Sequence, residues 1–150
     1  MFVVDANVLL YAVNVASPHH QRARPWLDDA LNGREPVGFA WTVVLAFVRL
    51  ATHRAVFPRP LTPEQAMAVV AAWLAQPSAT IVDPTSRHLG VLAGLLAETG
   101  TAANLVGDAH LAALAVEHDA TIVSFDADFG RFAGIRCHVP ASREPQGRRQ

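Results

Sequence analysis

Short runs of β-branched, apolar residues alternate along this chain with longer segments that repeat apolar residues at helical spacing. This alternation is typical of α/β folds, in which right-handed crossovers place a helix between successive parallel strands. We therefore predict a three-layer α/β/α sandwich with a mainly parallel central sheet. Strands are predicted at 2–5, 37–40, 80–82 and 121–125, with a candidate edge strand at 134–139. Helices are predicted at 7–13, 17–32, 43–50, 63–76, 86–98 and 103–118.

The length and composition predict one domain with a sizeable core. The chain has 150 residues, of which 51% are apolar, and it contains a single cysteine. We expect one folded domain over residues 1–140 and a disordered polar tail over 141–150. Charges, prolines or glycines interrupt every apolar stretch before 18 residues, so no membrane span is expected. The single cysteine and the lack of a signal-like N-terminal segment favour the cytoplasm.

The basic residues exclude several kinds of mechanism. All twelve of them are arginines, and the formal net charge is −1. Because the chain contains no lysine, a Schiff-base lysine and a P-loop lysine are both excluded. The net charge by itself does not indicate nucleic acid binding, although arginine is well suited to contacting phosphate groups.

Four aspartates occur where the predicted fold would bring them together. Asp5 follows the first predicted strand, while Asp126 and Asp128 follow the fourth. Asp108 lies at the start of the last predicted helix, on the face that carries the apolar residues. In open α/β sheets, ligands bind beyond the carboxyl ends of the strands. If the first and fourth strands are neighbours, these carboxylates share one crevice.

Each of these aspartates also has a purely structural interpretation, since aspartate often begins a turn or caps a helix. Their grouping favours chemistry instead. Two carboxylates about 4 Å apart repel each other by roughly 4 kcal/mol at an effective dielectric constant of about 20. A divalent cation relieves that repulsion, and oxygen ligands suit Mg²⁺ or Mn²⁺. Such ions promote phosphodiester hydrolysis by activating water and neutralising charge.

Four longer segments carry a specific combination of motifs: VVDANVLLYAVN, HHQRARPWLDDALNG, FVRLATHRAVFPRPLTPEQA and NLVGDAHLAALAVEHDATIVSFDADFGRF. Together they resemble PIN-domain ribonucleases, specifically VapC-type toxins of the kind abundant in mycobacteria, over residues 1 to about 140. The resemblance implies a PIN-like α/β/α fold and an endoribonuclease that uses Mg²⁺, or Mn²⁺ in its place. It also implies that the RNA, with tRNA as a candidate, is cleaved by metal-activated water.

The resemblance assigns a role to five residues. Asp5 and Asp108 match the principal metal ligands, and Asp126 matches the third acidic residue of the site. Asp128 is a fourth catalytic candidate that acts through water. Asn104, in NLVGD, resembles the residue that supports the acidic centre by hydrogen bonding.

The third predicted helix carries further candidates and one departure from the family pattern. Thr42 is predicted to cap this helix and to support the site. Arg49, His53 and Arg54 follow at helical spacing and are candidate RNA contacts. Family members commonly place a glutamate on this helix where this chain has Ala46, and no carboxylate occurs between residues 35 and 64. The alternative function is therefore a catalytically decayed PIN-like domain that binds RNA or protein.

The resemblance also implies partners. A VapB-type antitoxin is expected to inhibit the toxin, with an aromatic or arginine side chain entering the acidic crevice. We further expect a homodimer that uses apolar faces of the third and fourth helices, around Phe47, Val48 and Trp73.

A second class of enzyme is disfavoured by the residues themselves. The segment DANV superficially resembles the aspartate nucleophile motif of haloacid-dehalogenase-like phosphatases and receiver domains. Asn7 replaces the second aspartate of that motif, and its lysine is missing from the whole chain. We therefore expect metal-dependent hydrolysis and not an aspartyl-phosphate intermediate.

Overall fold

The described part of the chain, residues 1–100 and 102–142 of this computed structural model, contains one sheet of five parallel strands. The strands are β1 (Phe2–Val4), β2 (Val37–Phe39), β3 (Ala79–Ile81), β4 (Thr121–Val123) and β5 (Cys137–His138). Their order is β3-β2-β1-β4-β5, so the predicted edge strand is present and pairs with β4. Of the predicted tail, 141–150, residues 143–150 lie outside the described residues.

Six α-helices flank this sheet within the described residues. They are α1 (Ala6–Val13), α2 (His20–Leu31), α3 (Trp41–Ala51), α4 (Pro63–Leu74), α5 (His88–Thr99) and α6 (Val106–Glu117). The chain moves outward from β1 through β2 to β3 and then returns to β4 on the other side of β1. Right-handed crossovers therefore place α1 to α4 on one face and α5 and α6 on the other. The predicted three-layer α/β/α class is confirmed.

The strand order reverses between β1 and β4, which are direct neighbours. Val4 is in register with Val123, and the backbone N–H of Asp5 donates to the carbonyl of Val123 at 2.9 Å. The residues that follow both strands therefore leave the sheet side by side. This is the crevice in which open α/β sheets bind ligands.

The ends of two helices agree with the sequence signals. Thr62 caps α4 through a reciprocal capping box with Gln65, and Pro63 occupies the first helical position. Gly100 ends α5 in the left-handed conformation, with a φ of 67°, which glycine adopts without steric cost.

Three predicted helix starts are wrong in detail. Thr42 does not cap α3, because the N-cap is Ala40 and Thr42 is exposed in the first turn. The second helix begins at His20 and not at residue 17, since Ser17 bonds the backbone N–H of His19 in a turn before it. The predicted helix at 103–118 begins as a 3₁₀ turn, Ala103–Leu105, before α6.

The apolar face that we expected at a dimer interface is largely used inside the chain. Phe47 is completely buried, and its ring packs edge-on against that of Trp73 at a centroid distance of 5.0 Å. Phe47 therefore belongs to the core between α3 and α4 and is not available to a second copy. Val48 and Trp73 remain partly exposed.

No helix in the described part of the chain is long and apolar enough to cross a membrane.

Candidate metal centre

Asp5 leaves the sheet after β1 with both carboxylate oxygens already bonded. Its Oδ1 accepts the backbone N–H of Ala6 at 2.7 Å, which makes Asp5 the N-cap of α1. Its Oδ2 accepts the hydroxyl of Ser124 at 2.6 Å and the side-chain amide of Asn7 at 3.2 Å. These bonds fix the orientation of the carboxylate at the mouth of the crevice.

Ser124 connects the two strand ends. It is 2% exposed. Its hydroxyl donates to Asp5 and accepts the backbone N–H of Asp126 at 3.0 Å and the Asn7 amide at 3.1 Å. A hydroxyl has one proton and two lone pairs, so the bonding capacity of Ser124 is fully used. Asn7 also accepts the backbone N–H of Phe125 at 3.1 Å.

Three other aspartates converge at the same end of the sheet, while Asp5, predicted as a principal ligand, is not part of this group. One oxygen from each of Asp108, Asp126 and Asp128 lies within 4.8 Å of the other two. Asp108 is in the first turn of α6, and Asp126 begins the 3₁₀ helix Ala127–Arg131 after β4. We call these four aspartates the acidic centre.

Local hydrogen bonds hold the last two aspartates in place. Oδ1 of Asp126 accepts the backbone N–H of Asp128 at 2.8 Å, and Arg131 approaches Asp128 at 3.5 Å. Asp5 and Asp126 therefore do cap helices, as the structural interpretation of the sequence proposed. Their role as metal ligands stays a prediction, which capping does not exclude.

The electrostatics of the acidic centre show an excess of negative charge. Burial, together with the charges of Asp5, Asp126 and Asp128, raises the pKa of Asp108 to about 6, although Arg131 opposes the shift. Burial also raises the pKa of Asp5, against the lowering effect of its bonds to Ser124 and Ala6. The ionised carboxylates therefore destabilise one another, and a bound cation would relieve that repulsion.

The donor set fits a hard divalent cation. All the donors that converge are carboxylate oxygens, which Mg²⁺ and Mn²⁺ prefer. Ligand oxygens on one octahedral Mg²⁺ lie about 3 to 4 Å apart, because each bond is about 2.1 Å long. The observed spacing reaches that range with small side-chain movements. Asp108, Asp126 and Asp128 are therefore the candidate ligands, and Asp5 is oriented beside them.

The remaining predicted residues make none of these hydrogen bonds within the described part of the chain. Asn104 is exposed in the 3₁₀ turn before α6, and no hydrogen bond among the described residues joins it to the four aspartates. Arg49, His53 and Arg54 are exposed at the end of α3. Ala46 is partly exposed on the same helix.

Sequence reasoning missed Asn7 and Ser124 as parts of the site. The signal for both was their spacing, because each lies two residues from an aspartate at the end of a strand. Asn7 follows Asp5, and Ser124 precedes Asp126. A small polar residue at that distance can reach back to the strand end.

Comparison with known proteins places this geometry in context. Residues 2–135 match the model of the PIN domain family. The chain is 62% identical to Ribonuclease VapC37 of Mycobacterium tuberculosis over 140 residues, which cover 93% of this chain and 97% of the relative. It is 41% identical to Ribonuclease VapC33 of the same species, with coverage of 93% and 98%.

Solved structures share the fold at lower sequence identity. VapC20 of Mycobacterium tuberculosis, described as a sarcin-ricin loop cleaving toxin, aligns with a TM-score of 0.66 at 17% identity. That alignment covers 91% of this chain and 99% of VapC20. VapBC2 from Rickettsia felis, solved with a DNA fragment from its promoter, aligns with a TM-score of 0.68 at 17% identity, covering 93% and 98%.

Proposed function

This chain belongs to the PIN-domain family, in its VapC branch, and we propose that it is a metal-dependent endoribonuclease acting as the toxin of a toxin–antitoxin pair. One observation carries the proposal: one carboxylate oxygen from each of Asp108, Asp126 and Asp128 lies within 4.8 Å of the other two, near the switch point of the sheet. Curated relatives that match nearly the full chain are named ribonucleases, which supports the same activity.

The residues of the acidic centre suit Mg²⁺, which Mn²⁺ can replace. When bound, such an ion generates a nucleophilic water and neutralises charge on the phosphodiester. The protein supplies the orientation of the ligands. Ser124 and Asn7 fix the carboxylate of Asp5, while the backbone N–H of Asp128 fixes that of Asp126. Asp108 binds a cation as the anion, so its raised pKa of about 6 means that metal binding displaces a proton and weakens as the pH falls below that value.

The proposed substrate is single-stranded or looped RNA, with tRNA as the first RNA to test. Arg49, His53 and Arg54 are exposed at the end of α3 and can contact phosphate groups outside the acidic centre. Asn104 and Thr42 remain candidate supporting residues, each near the start of a helix.

A cleavage assay tests the function directly. We expect Asp126→Asn to slow Mg²⁺-dependent RNA cleavage by more than about 100-fold, above the range typical of residues outside the first coordination shell. Asp28→Asn is the matched control, because Asp28 is an exposed aspartate that pairs with Arg24 on α2. Undiminished cleavage by Asp126→Asn would overturn the proposed centre.

The alternative function, a decayed domain that binds RNA or protein, is favoured by one observation. Residues 36–63 contain no carboxylate, so Ala46 leaves the acidic centre without the glutamate that the family commonly has there. Calorimetric titration with Mn²⁺ separates the two functions. Binding that is lost in Asp126→Asn supports the nuclease, whereas RNA binding without any Mn²⁺ binding supports the decayed domain.

A VapB-like antitoxin is the proposed protein partner, since VapBC complexes are among the structural neighbours. An apolar groove of about 350 Å³ lies between the end of α1 and the loop that precedes α4, lined by Phe57 and Leu61. Val15 borders this groove and is 80% exposed. We propose that an apolar antitoxin segment covers Val15 while a basic or aromatic side chain enters the acidic centre.

Co-purification tests this partner. Val15→Asp is expected to weaken retention of a co-expressed antitoxin, while Leu89→Asp serves as the control because Leu89 is equally exposed on α5. Equal retention by both variants contradicts the groove assignment. Light scattering of the toxin alone tests the proposed homodimer, and a monomer at micromolar concentration contradicts it.

A further inference from the structure

A second polar cluster joins α5 to α6 on the other face of the sheet. The side chain of Glu117 has no exposed surface, and its Oε1 accepts both the backbone N–H of Thr85 at 2.9 Å and the Thr85 hydroxyl at 2.6 Å. Its Oε2 accepts Nδ1–H of His88 at 2.5 Å. Nε2 of His88 faces Nδ1 of His110 at 2.9 Å. We call these four residues the histidine clamp.

Glu117 determines which ring nitrogen of His88 carries the proton. Glu117 is held by two donors from Thr85, so its remaining oxygen keeps the proton of His88 on Nδ1. Nε2 of His88 then carries a lone pair, which accepts Nδ1–H of His110 in this structure. A histidine that donates one ring N–H to a carboxylate and directs the other nitrogen outward is the usual arrangement of a metal-binding histidine.

The spacing of the two imidazoles is close to that of a shared ion. Two nitrogens on one tetrahedral Zn²⁺ lie about 3.3 Å apart, since each bond is about 2.0 to 2.1 Å long. The observed 2.9 Å is that of an N–H···N hydrogen bond, so an ion would displace the Nδ1 proton of His110 and move the rings slightly apart. His110 is partly exposed, so its ring can move and water can complete the coordination.

This cluster is separate from the acidic centre. His110 lies two residues after Asp108 on α6, and that step turns the side chain by about 200° around the helix. The donors also differ in kind, because imidazole nitrogens favour zinc and similar ions, while carboxylates favour Mg²⁺.

We propose that Nε2 of His88 and Nδ1 of His110 bind a borderline divalent transition-metal ion such as Zn²⁺, with Glu117 orienting His88 by its hydrogen bond. The ion would fasten α5 to α6. This connection would stabilise α5, because Leu95 is the one buried residue of that helix in the described chain.

Equilibrium dialysis with ZnCl₂ tests the site in the full-length protein. Excess Mg²⁺ keeps the acidic centre occupied, and a Cys137→Ser background removes an exposed thiol that also binds zinc. We expect one zinc ion per chain that is lost in His110→Ala. That variant keeps the bond between Glu117 and His88, so the fold is retained, which circular dichroism checks.

Two further variants separate a built site from an accidental histidine contact. Glu117→Gln is expected to weaken zinc binding by about 10- to 100-fold, the usual effect of removing the partner of a ligating histidine. His118→Ala is the matched control, because His118 is the next residue but bonds the carbonyl of Asp83. Zinc stoichiometry and affinity that are the same in His110→Ala, Glu117→Gln and the control would overturn the proposal.

Discussion

The acidic centre and the histidine clamp are both built around carboxylates, yet they differ in how the negative charge is compensated. In the clamp, one carboxylate receives three hydrogen bonds, two from Thr85 and one from His88. In the acidic centre, Asp108 shares a crevice with three other aspartates, and Arg131 is the cation that lowers its pKa. The charge of Glu117 is therefore compensated by hydrogen-bond donors, whereas the acidic centre has a surplus of negative charge.

The pKa values of Glu117 and Asp108 shift in opposite directions, in agreement with this difference. Hydrogen bonds from Thr85 and His88 lower the pKa of Glu117, even though burial opposes the shift. Burial and neighbouring carboxylates raise the pKa of Asp108 to about 6. At Glu117 the hydrogen bonds outweigh the effect of burial, so the fold itself stabilises the anion. A group of carboxylates that share few donors gains most from an added cation.

The strongest test of this comparison removes the hydroxyl of Ser124, which donates to Asp5 of the acidic centre. Ser124→Ala removes one of the three donors to Asp5 and takes from the backbone N–H of Asp126 the hydroxyl that it bonds. We expect Mn²⁺ affinity and RNA cleavage to fall by about 10- to 100-fold. We also expect the free energy of unfolding to fall by about 1 to 3 kcal/mol. Calorimetry, a cleavage assay and denaturant unfolding measure these changes.

Thr52→Ala is the control for that variant, because the Thr52 hydroxyl bonds only backbone carbonyls of α3. If Ser124→Ala behaves like this control in metal binding, then the orientation of Asp5 does not depend on the hydroxyl.

The clamp is expected to affect stability without affecting catalysis. Glu117→Gln removes the charge from a carboxylate that bonds Thr85 and His88, so the free energy of unfolding should fall by about 2 kcal/mol. RNA cleavage should be unchanged, since Glu117 lies outside the acidic centre. Urea unfolding and the cleavage assay measure the two effects, with Glu98→Gln, an exposed change on α5, as the control. A loss of cleavage equal to that of Ser124→Ala would contradict the separation of the two regions.

A smaller effect is expected in the pH dependence of stability without metal. The pKa of Asp108 is raised from 3.8 to about 6, so the folded chain binds more protons than the unfolded chain between these values. The contribution of Asp108 to the free energy of unfolding should therefore decrease as the pH rises from about 4 to 6. Glu117, whose pKa is lowered, stabilises the fold above pH 4.5 and loses this effect only at lower pH.

Thermal melts in EDTA measure this difference. Asp108→Asn should gain stability relative to the unsubstituted chain as the pH rises through that window, and added Mg²⁺ at pH 7 should reverse the ranking. If the difference in thermal stability between Asp108→Asn and the unsubstituted chain is independent of pH, the charge of Asp108 does not destabilise the fold.

The fold could be predicted from the sequence because each of its elements has a local signal. β-branched runs, the capping box at Thr62 and the glycine at position 100 mark elements that the structure contains. Thr42 was wrongly predicted as a cap, since the backbone before α3 turns at Ala40 without a side-chain bond. A residue type that often caps helices therefore did not establish where the helix starts.

The acidic centre was only partly predictable, because its assembly depends on the order of the strands. The sequence showed that Asp5 and Asp126 each follow a strand, but their proximity depends on β1 and β4 being neighbours. The histidine clamp was not predicted. His88 and Glu117 are 29 residues apart on different helices, and histidines at such a distance carry no local signal of contact.

The distance in sequence between Asp5 and Ser124 determines how early the acidic centre can form while the chain is synthesised. These two bonded residues are 119 positions apart, and β1 lies between β2 and β4 in the sheet. A nascent chain that has been synthesised only through β3 contains Asp5 but none of the three converging carboxylates. Its first strand also lacks one of its two neighbours. The acidic centre can therefore form only after most of the chain has been synthesised, and it depends on the pairing of distant segments, which is slow in parallel folds.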